Sequence, residues 1–372
     1  LSPYRALWQI MTPLADETVA ASGTVAALNP VIALSLLSCV LIGVSIQRLR
    51  IWNPSRAVFV QPETTDEDDE TGQSRRVVRH RRIWSNPVVW REIMTRAYGR
   101  RVVFIKIAYF AIAAVIFTQA LTTGGPDDDL VLGMFSTSAT AFLGLSILGL
   151  MLVNAQAVTS ITSERDGQTL DLLVATDLTA KEFVYGKLAG IFYNTKELAL
   201  IPVAIVAWLV FQGQVTLEDG LYLGIGYLLL TAFTAMLGLH YGLGISSSRQ
   251  AIANSMGTIF FLFIGIFILL VLLIETRGSF ANQISAFLLF VAVGGFALSQ
   301  SLTARNPSPA LRMAGGLLPA LTFYAITTWL LDGTLGVFLA LVAAYGFTAL
   351  AMLIPAVSEF DIALGRSTTD KD

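Results

Sequence analysis

Residues 253 to 274 (ANSMGTIFFLFIGIFILLVLLI) carry no ionisable side chain. At about 1.5 Å per residue, a helix of that length crosses the roughly 30 Å hydrocarbon layer of a bilayer. A helix that is apolar all round has to be buried in a large core or in lipid. The whole chain leans the same way: it is 55% hydrophobic and 13% charged, with a mean hydropathy of +0.68, and its charged share is about half that of an ordinary soluble domain. Eight further apolar stretches read as spans, at 31–48, 102–122, 131–158, 188–212, 220–245, 283–301, 315–331 and 335–355, for about nine in all. The runs are continuous rather than alternating, which favours helices over a β-barrel, because in lipid each helix satisfies its own backbone hydrogen bonds. The expected fold is therefore all-α, a polytopic transmembrane helical bundle.

The basic residues give the bundle an orientation. If nine spans alternate, twelve arginines from Arg48 to Arg101 fall on one side together with Arg165, Lys181, Lys187, Arg249, Arg305, Arg312, Arg366 and Lys371. Opposite them stand only Arg5 and Arg277. Lys106 and Lys196 lie inside predicted helices. Since basic loops stay in the cytoplasm, the main loop and the C-terminus are expected inside and the N-terminal segment outside, in a plasma (inner) membrane. The acidic turn from Gly125 to Asp129 then comes out external. Residues 61–76 (QPETTDEDDETGQSRR) combine an acidic run with polar residues and read as a disordered linker. Three parts follow: 1–60 with one span, an acidic then basic linker at 61–85, and a transmembrane domain at 86–372. No basic n-region and cleavage site precede an apolar core, so no signal peptide is expected.

Two loop segments on the basic side have more pattern than a connector needs. In the first, Asn86 suits an N-cap and Pro87 the first helical position. Val89, Ile93 and Ala97 follow at i, i+4, i+8, flanked by Trp90 and Met94, with Arg91, Thr95, Arg96 and Arg100 on other faces. That pattern predicts an amphipathic helix at the inner interface, its basic face suited to anionic lipid. The second segment joins the third and fourth spans. Ser163 with Asp166 has the spacing of a helix start, and Thr179 with Glu182 that of a capping box. Between them Leu170, Leu173 and Val174 share one face of a short helix, and beside Glu164, Arg165 and Asp166 they form a docking surface with an apolar centre and a charged rim.

This second segment resembles the permeases of type-2 ATP-binding-cassette (ABC) exporters. Their intracellular signature, Glu-Arg/Lys-Glu-x-(x)-Thr-Leu-x-x-Leu-Leu and then a Gly-Lys opening the next span, is matched here by Glu164-Arg165-Asp166-Gly167-Gln168-Thr169-Leu170-Asp171-Leu172-Leu173 and Gly186-Lys187. Asp166 replaces the usual second Glu. The run Asn86-Pro87-Val88-Val89-Trp90-Arg91-Glu92 is similar to the start of such a permease. The resemblance implies a coupling helix over 163–176, with Glu164, Arg165, Asp166, Thr169, Leu170, Leu173, Val174 and Lys187 at the docking site of a separate ATPase subunit. It also implies an interface helix bearing Trp90, Arg91, Glu92, Ile93 and Arg96, and a second permease unit or a homodimer to enclose a path. Such permeases usually have six spans, whereas eight follow Arg101 here, and residues 1–56 resemble the tail of a preceding permease unit.

Polar groups inside spans are the other candidates. Asn194, Lys196 and Glu197 in the fourth span and His240 in the fifth are possible path-lining residues, because a charge at mid-bilayer costs roughly 2.5–3.5 kcal/mol on insertion scales. Packing alone also accounts for them: Lys196 can snorkel to the headgroups, Glu197 can face a neighbouring helix, and His240 can hydrogen-bond within the bundle. Gly186 with Gly190 and Gly238 with Gly242 form GxxxG pairs, a weak signal by itself. The chain has no GxxxxGK[ST], HExxH or GxSxG sequence, two histidines (His80 and His240) and one cysteine, Cys39. ATP hydrolysis, a disulfide, a metal site and a cofactor are accordingly not expected of this chain. The basic run from Arg75 to Arg82 points to anionic lipid rather than nucleic acid. Two other functions remain open on sequence: an ion-coupled secondary transporter using Lys196, Glu197 and His240, and a non-transporting membrane scaffold that recruits partners through the arginine-rich loop.

Overall fold

The computed structural model describes residues 38–39, 86–94, 101–123, 137–169, 178–275, 280–304, 308–330 and 333–358. The chain divides into two units, Leu1–Arg79 and His80–Asp372, and the helices that follow belong to the second. The predicted linker at 61–85, most of the span predicted at 31–48, and the side chains Arg96, Leu170, Leu173 and Val174 lie outside the described residues.

Every regular element among the described residues is helical. A short helix, α1 (Pro87–Met94), precedes α2 (Arg101–Thr123), α3 (Thr137–Asp166), α4 (Ala180–Phe211) and α5 (Leu217–Gly244). Helix α6 runs from Ser248–Ile259 through a π-helical stretch, Phe260–Gly265, into Ile266–Glu275. Next come α7 (Phe280–Thr303) and α8 (Pro309–Leu330), and α9 closes the bundle as Thr334–Leu341, a second π-helical stretch at Val342–Gly346, and Phe347–Ser358. Among the described residues, seven segments are long and apolar enough to cross a membrane: Phe142–Asp166, Ala180–Phe211, Leu217–Gly244, Ser248–Leu269, Ser285–Thr303, Pro309–Thr328 and Thr334–Ser358. That is the make-up of an α-helical integral membrane protein. Helix α2 adds a shorter apolar stretch, Val103–Thr118.

The helix starts follow local chemistry. Asn86 Oδ1 accepts the backbone N–H of Val88 at 2.9 Å and of Val89 at 3.1 Å, satisfying two of the donors that a helix start leaves open. Thr179 and Glu182 form the reciprocal capping box that their spacing predicts. Thr216 caps α5 through the N–H of Asp219. The predicted start at Ser163 is corrected: Ser163 lies in the last turn of α3, and its hydroxyl donates to the Thr159 carbonyl, four residues back, at 2.6 Å. The helix instead ends at Gly167 and Gln168, whose N–H groups bond to the carbonyls of Ser163 and Arg165, and Gln168 takes the left-handed conformation (φ 55°).

Large apolar side chains point outward as well as inward. On α9 Leu335, Leu339, Val342, Leu350 and Ile354 form an exposed stripe, and on α7 Leu288, Leu289, Val293 and Phe296 do the same; such stripes suit acyl chains as solvent. The core is built around α3 and α5. There Gly238 brings the helices so close that a Cβ on it would lie 2.6 Å from that of Ala157, a small-residue contact of the kind that lets membrane helices approach. Buried Asn154 donates to the Thr234 carbonyl at 3.0 Å and accepts from Ser255 Oγ at 2.9 Å. One side chain thereby ties α3, α5 and α6 together.

Candidate functional site

The charged residues gather where α3 ends and α4 begins. Those helices have 30 and 32 residues, about 45 and 48 Å, so they overrun a hydrocarbon layer of roughly 30 Å. Ionisable groups in the overrunning turns need not sit in the apolar layer. Helix α1 lies across the first turns of α4 because two glycines leave it room. A Cβ on Gly186 would lie 2.7 Å from that of Val88, and one on Gly190 would lie 2.5 Å from that of Glu92. The face of α1 that packs inward therefore carries Val88 and Glu92, while Val89, Trp90 and Ile93 are half-buried and Met94 is exposed. Asn86 Nδ2 donates to the Glu182 carbonyl and Asn194 Nδ2 to that of Glu92, holding both ends of α1 against α4.

This docking buries an ion cluster. Lys187 and Glu92 are each 1% exposed, with Nζ 2.7 Å from Glu92 Oε1. Lys187 Nζ also lies 2.7 Å from Glu164 Oε1 on α3 and 3.2 Å from the Ser160 carbonyl, so all three ammonium protons have acceptors. Arg91 bridges the two carboxylates, 3.1 Å from Glu92 and in closer contact with Glu164. Two cations face two anions, which makes their burial tolerable: isolated, any one of them would carry an uncompensated desolvation cost of several kcal/mol.

The next two residues of the loop motif bind other helix ends. Arg165 donates to the carbonyls of Gly242, at 2.6 Å, and of Ile245, placing a cation on the negative end of α5. Asp166 accepts from Ser248 Oγ at 2.6 Å, setting a carboxylate at the positive end of α6, where Ser247 supplies no side-chain cap. Thr169 Oγ1 bonds back to the Glu164 carbonyl at 3.1 Å. Glu164, Arg165 and Asp166, three consecutive residues, thus join α3 to α1 and α4, to α5, and to α6. On sequence alone they form a rim open to a partner; here Glu164 and Arg165 are half-buried and engaged within the bundle, while Asp166, though bonded to Ser248, is exposed. Asp166, Gly167, Gln168 and Thr169 form an exposed turn.

The polar residues within the spans have local partners. Glu197 Oε2 lies 2.8 Å from Lys106 Nζ on α2. Lys196 is exposed, with Nζ 4.1 Å from the centre of the Tyr193 ring, a cation–π contact. His240 Nε2 bonds to the Leu302 carbonyl at 3.0 Å, and its ring meets Tyr241 edge-on. Among the described residues no group of three or more His, Cys, Asp or Glu side chains could hold a metal ion. The sequence reading missed the pairing of Glu92 with Lys187. Its trace was present: Val88 and Glu92 repeat at the same four-residue interval as Gly186 and Gly190, with a carboxylate on one partner and an ammonium on the other. Comparison of the chain with protein-family models and with curated proteins gives no match to either.

Proposed function

We propose that this chain is the membrane-spanning permease subunit of a type-2 ABC exporter, worked by a separate ATPase subunit. The observation that carries the reading is the position of the Glu164–Leu173 signature. It starts in the last turn of one membrane-length helix, α3, and precedes another, α4, in the chain, and its first three residues bond to four other helices. In this reading α1 is the interface helix and residues 163–176 form the coupling segment on the cytoplasmic side. Helix α2 and a span at 31–48 join the seven membrane-length segments to give nine. Since Glu164, Arg165 and Lys187 are engaged within the bundle, the ATPase grips exposed Thr169 and the face that Leu170, Leu173 and Val174 are expected from the sequence to share. Force on that face is passed by Glu164 to α1 and α4, by Arg165 to α5 and by Asp166 to α6. A second permease unit, or a second copy, completes the path.

The test is co-purification in mild detergent with a subunit that binds and hydrolyses ATP. Leu173→Asp is expected to release that subunit while leaving the bundle folded; retention of the ATPase by the variant would count against the docking face. An ion-coupled transporter would need Glu197 and His240 as titrating groups. Their engagement with Lys106 and with the Leu302 carbonyl favours packing roles for both.

A further inference from the structure

A cavity of about 220 Å³, open on one side, lies in the half of the bundle opposite the ion cluster, lined by α3, α5, α6, α8 and α9. It is larger than the roughly 150 Å³ apolar cavities that accept benzene. Its lining on α9 runs from Thr334 to Tyr345, about 16 Å along the helix at 1.5 Å per residue. On α3 it runs from Phe142 to Leu150. The space is thus elongated parallel to the helices, the direction in which chains of a bilayer run.

The polar groups of the wall are almost all used. Thr322 and Tyr345 bond to each other at 2.6 Å, Tyr227 donates to the Leu198 carbonyl at 3.2 Å, Tyr222 to Glu218 at 2.8 Å, and Thr334 to Asp219. The exception is Ser146, 6% exposed, whose Oγ has no hydrogen-bond partner. A second feature marks the same place. The π-helical stretches of α6 and α9 meet at the inner end of the cavity, where Phe263 stacks on Tyr345 with ring centres 5.7 Å apart. A π turn forgoes regular hydrogen bonding and recurs where a helix is shaped around a site.

We infer that this cavity holds one acyl chain of a membrane lipid, lying parallel to the helices. The apolar wall supplies the binding free energy. Tyr222 and Thr334, near the ends of α5 and α9, mark the side facing the headgroup region. This site does not depend on the transport reading, since a scaffold or an ion-coupled carrier could hold the same chain.

The experiment uses the full chain in lipid nanodiscs doped with a phosphatidylcholine that carries a diazirine in mid acyl chain, followed by peptide mapping of the photoadducts. Leu150 and Tyr345 are buried, at 2% and 0% exposed, whereas Leu335 and Leu339 face outward at 50% and 56%. Adducts at Leu150 or Tyr345 are expected, and saturating unlabelled lipid should displace them. Ala325→Phe, which fills the cavity, should lower them at least tenfold while sparing adducts at Leu339. Should that variant fail to fold, Leu341→Phe serves the same purpose. Adducts confined to Leu335, Leu339 and other outward residues would overturn the inference, as would buried adducts that persist in both filled variants.

Discussion

Replacing Lys187 with methionine keeps the side chain's length and apolar stem and removes one charge from the ion cluster. In the parent, the ammonium stands 2.7 Å from both Glu92 and Glu164 and is 1% exposed. The variant leaves two carboxylates against the single guanidinium of Arg91, with Glu92 still buried. Removing one partner of a buried pair costs about 3–5 kcal/mol, or two to three and a half powers of ten in the folding equilibrium. Full burial of Lys187 and Glu92 removes the solvent screening that makes surface pairs worth little. Adding Glu92→Gln restores the charge balance, since Arg91 and Glu164 then face each other alone, and should recover about 2 kcal/mol as coupling energy. The assay is unfolding of the detergent-solubilised protein by SDS titration, followed by tryptophan fluorescence, because Trp90 sits on α1 and reports its release from α4. A Lys187→Met variant within about 0.5 kcal/mol of the parent, with no recovery in the double variant, would refute the claim that the cluster fastens α1 to α3 and α4.

Three further outcomes follow from the packing. Gly190→Ala places a Cβ 2.5 Å from that of Glu92; it should cost about 1–3 kcal/mol by overpacking and raise the fluorescence change of Trp90, whereas Gly244→Ala, with open space at its Cβ, should be near neutral by the same titration. Thr179→Ala removes the cap of α4 and should lower stability by about 1 kcal/mol, read as an earlier SDS midpoint. Asn154→Leu deletes the bonds to Thr234 and Ser255 and leaves two helices with an unmet polar group; a loss of about 1–2 kcal/mol is expected, and thermal aggregation in mild detergent would register it.

Much of the bundle is legible in the sequence because lipid imposes length and apolarity on each helix, and seven of the apolar runs return as membrane-length segments. Caps were legible for the same local reason: Asn86 with Pro87, and Thr179 with Glu182, need only their own neighbours. Ser163 misled because a serine three residues before an acid suits a helix start, yet the same hydroxyl can bond four residues back within a continuing helix. The ion cluster was hidden by distance in the chain, since Glu92 and Lys187 meet only when Gly186 and Gly190 admit α1. The charged triplet from Glu164 to Asp166 was visible as a motif, but not the partners its side chains take, which depend on where α5 ends and α6 starts. Periodicity gives no hint of the π turns at Phe260–Gly265 and Val342–Gly346, or of the cavity they border, because both arise from how neighbouring helices fit.

The functional proposal turns on what touches the segment between α3 and α4. A photo-crosslinking amino acid placed at Leu173, in the otherwise intact chain in its native membrane, reads that contact directly. The account predicts a crosslinked partner that carries a GxxxxGK[ST] nucleotide-binding loop, with a yield that changes when ATP is added. A crosslink to lipid alone, or to a partner without such a loop, would contradict it.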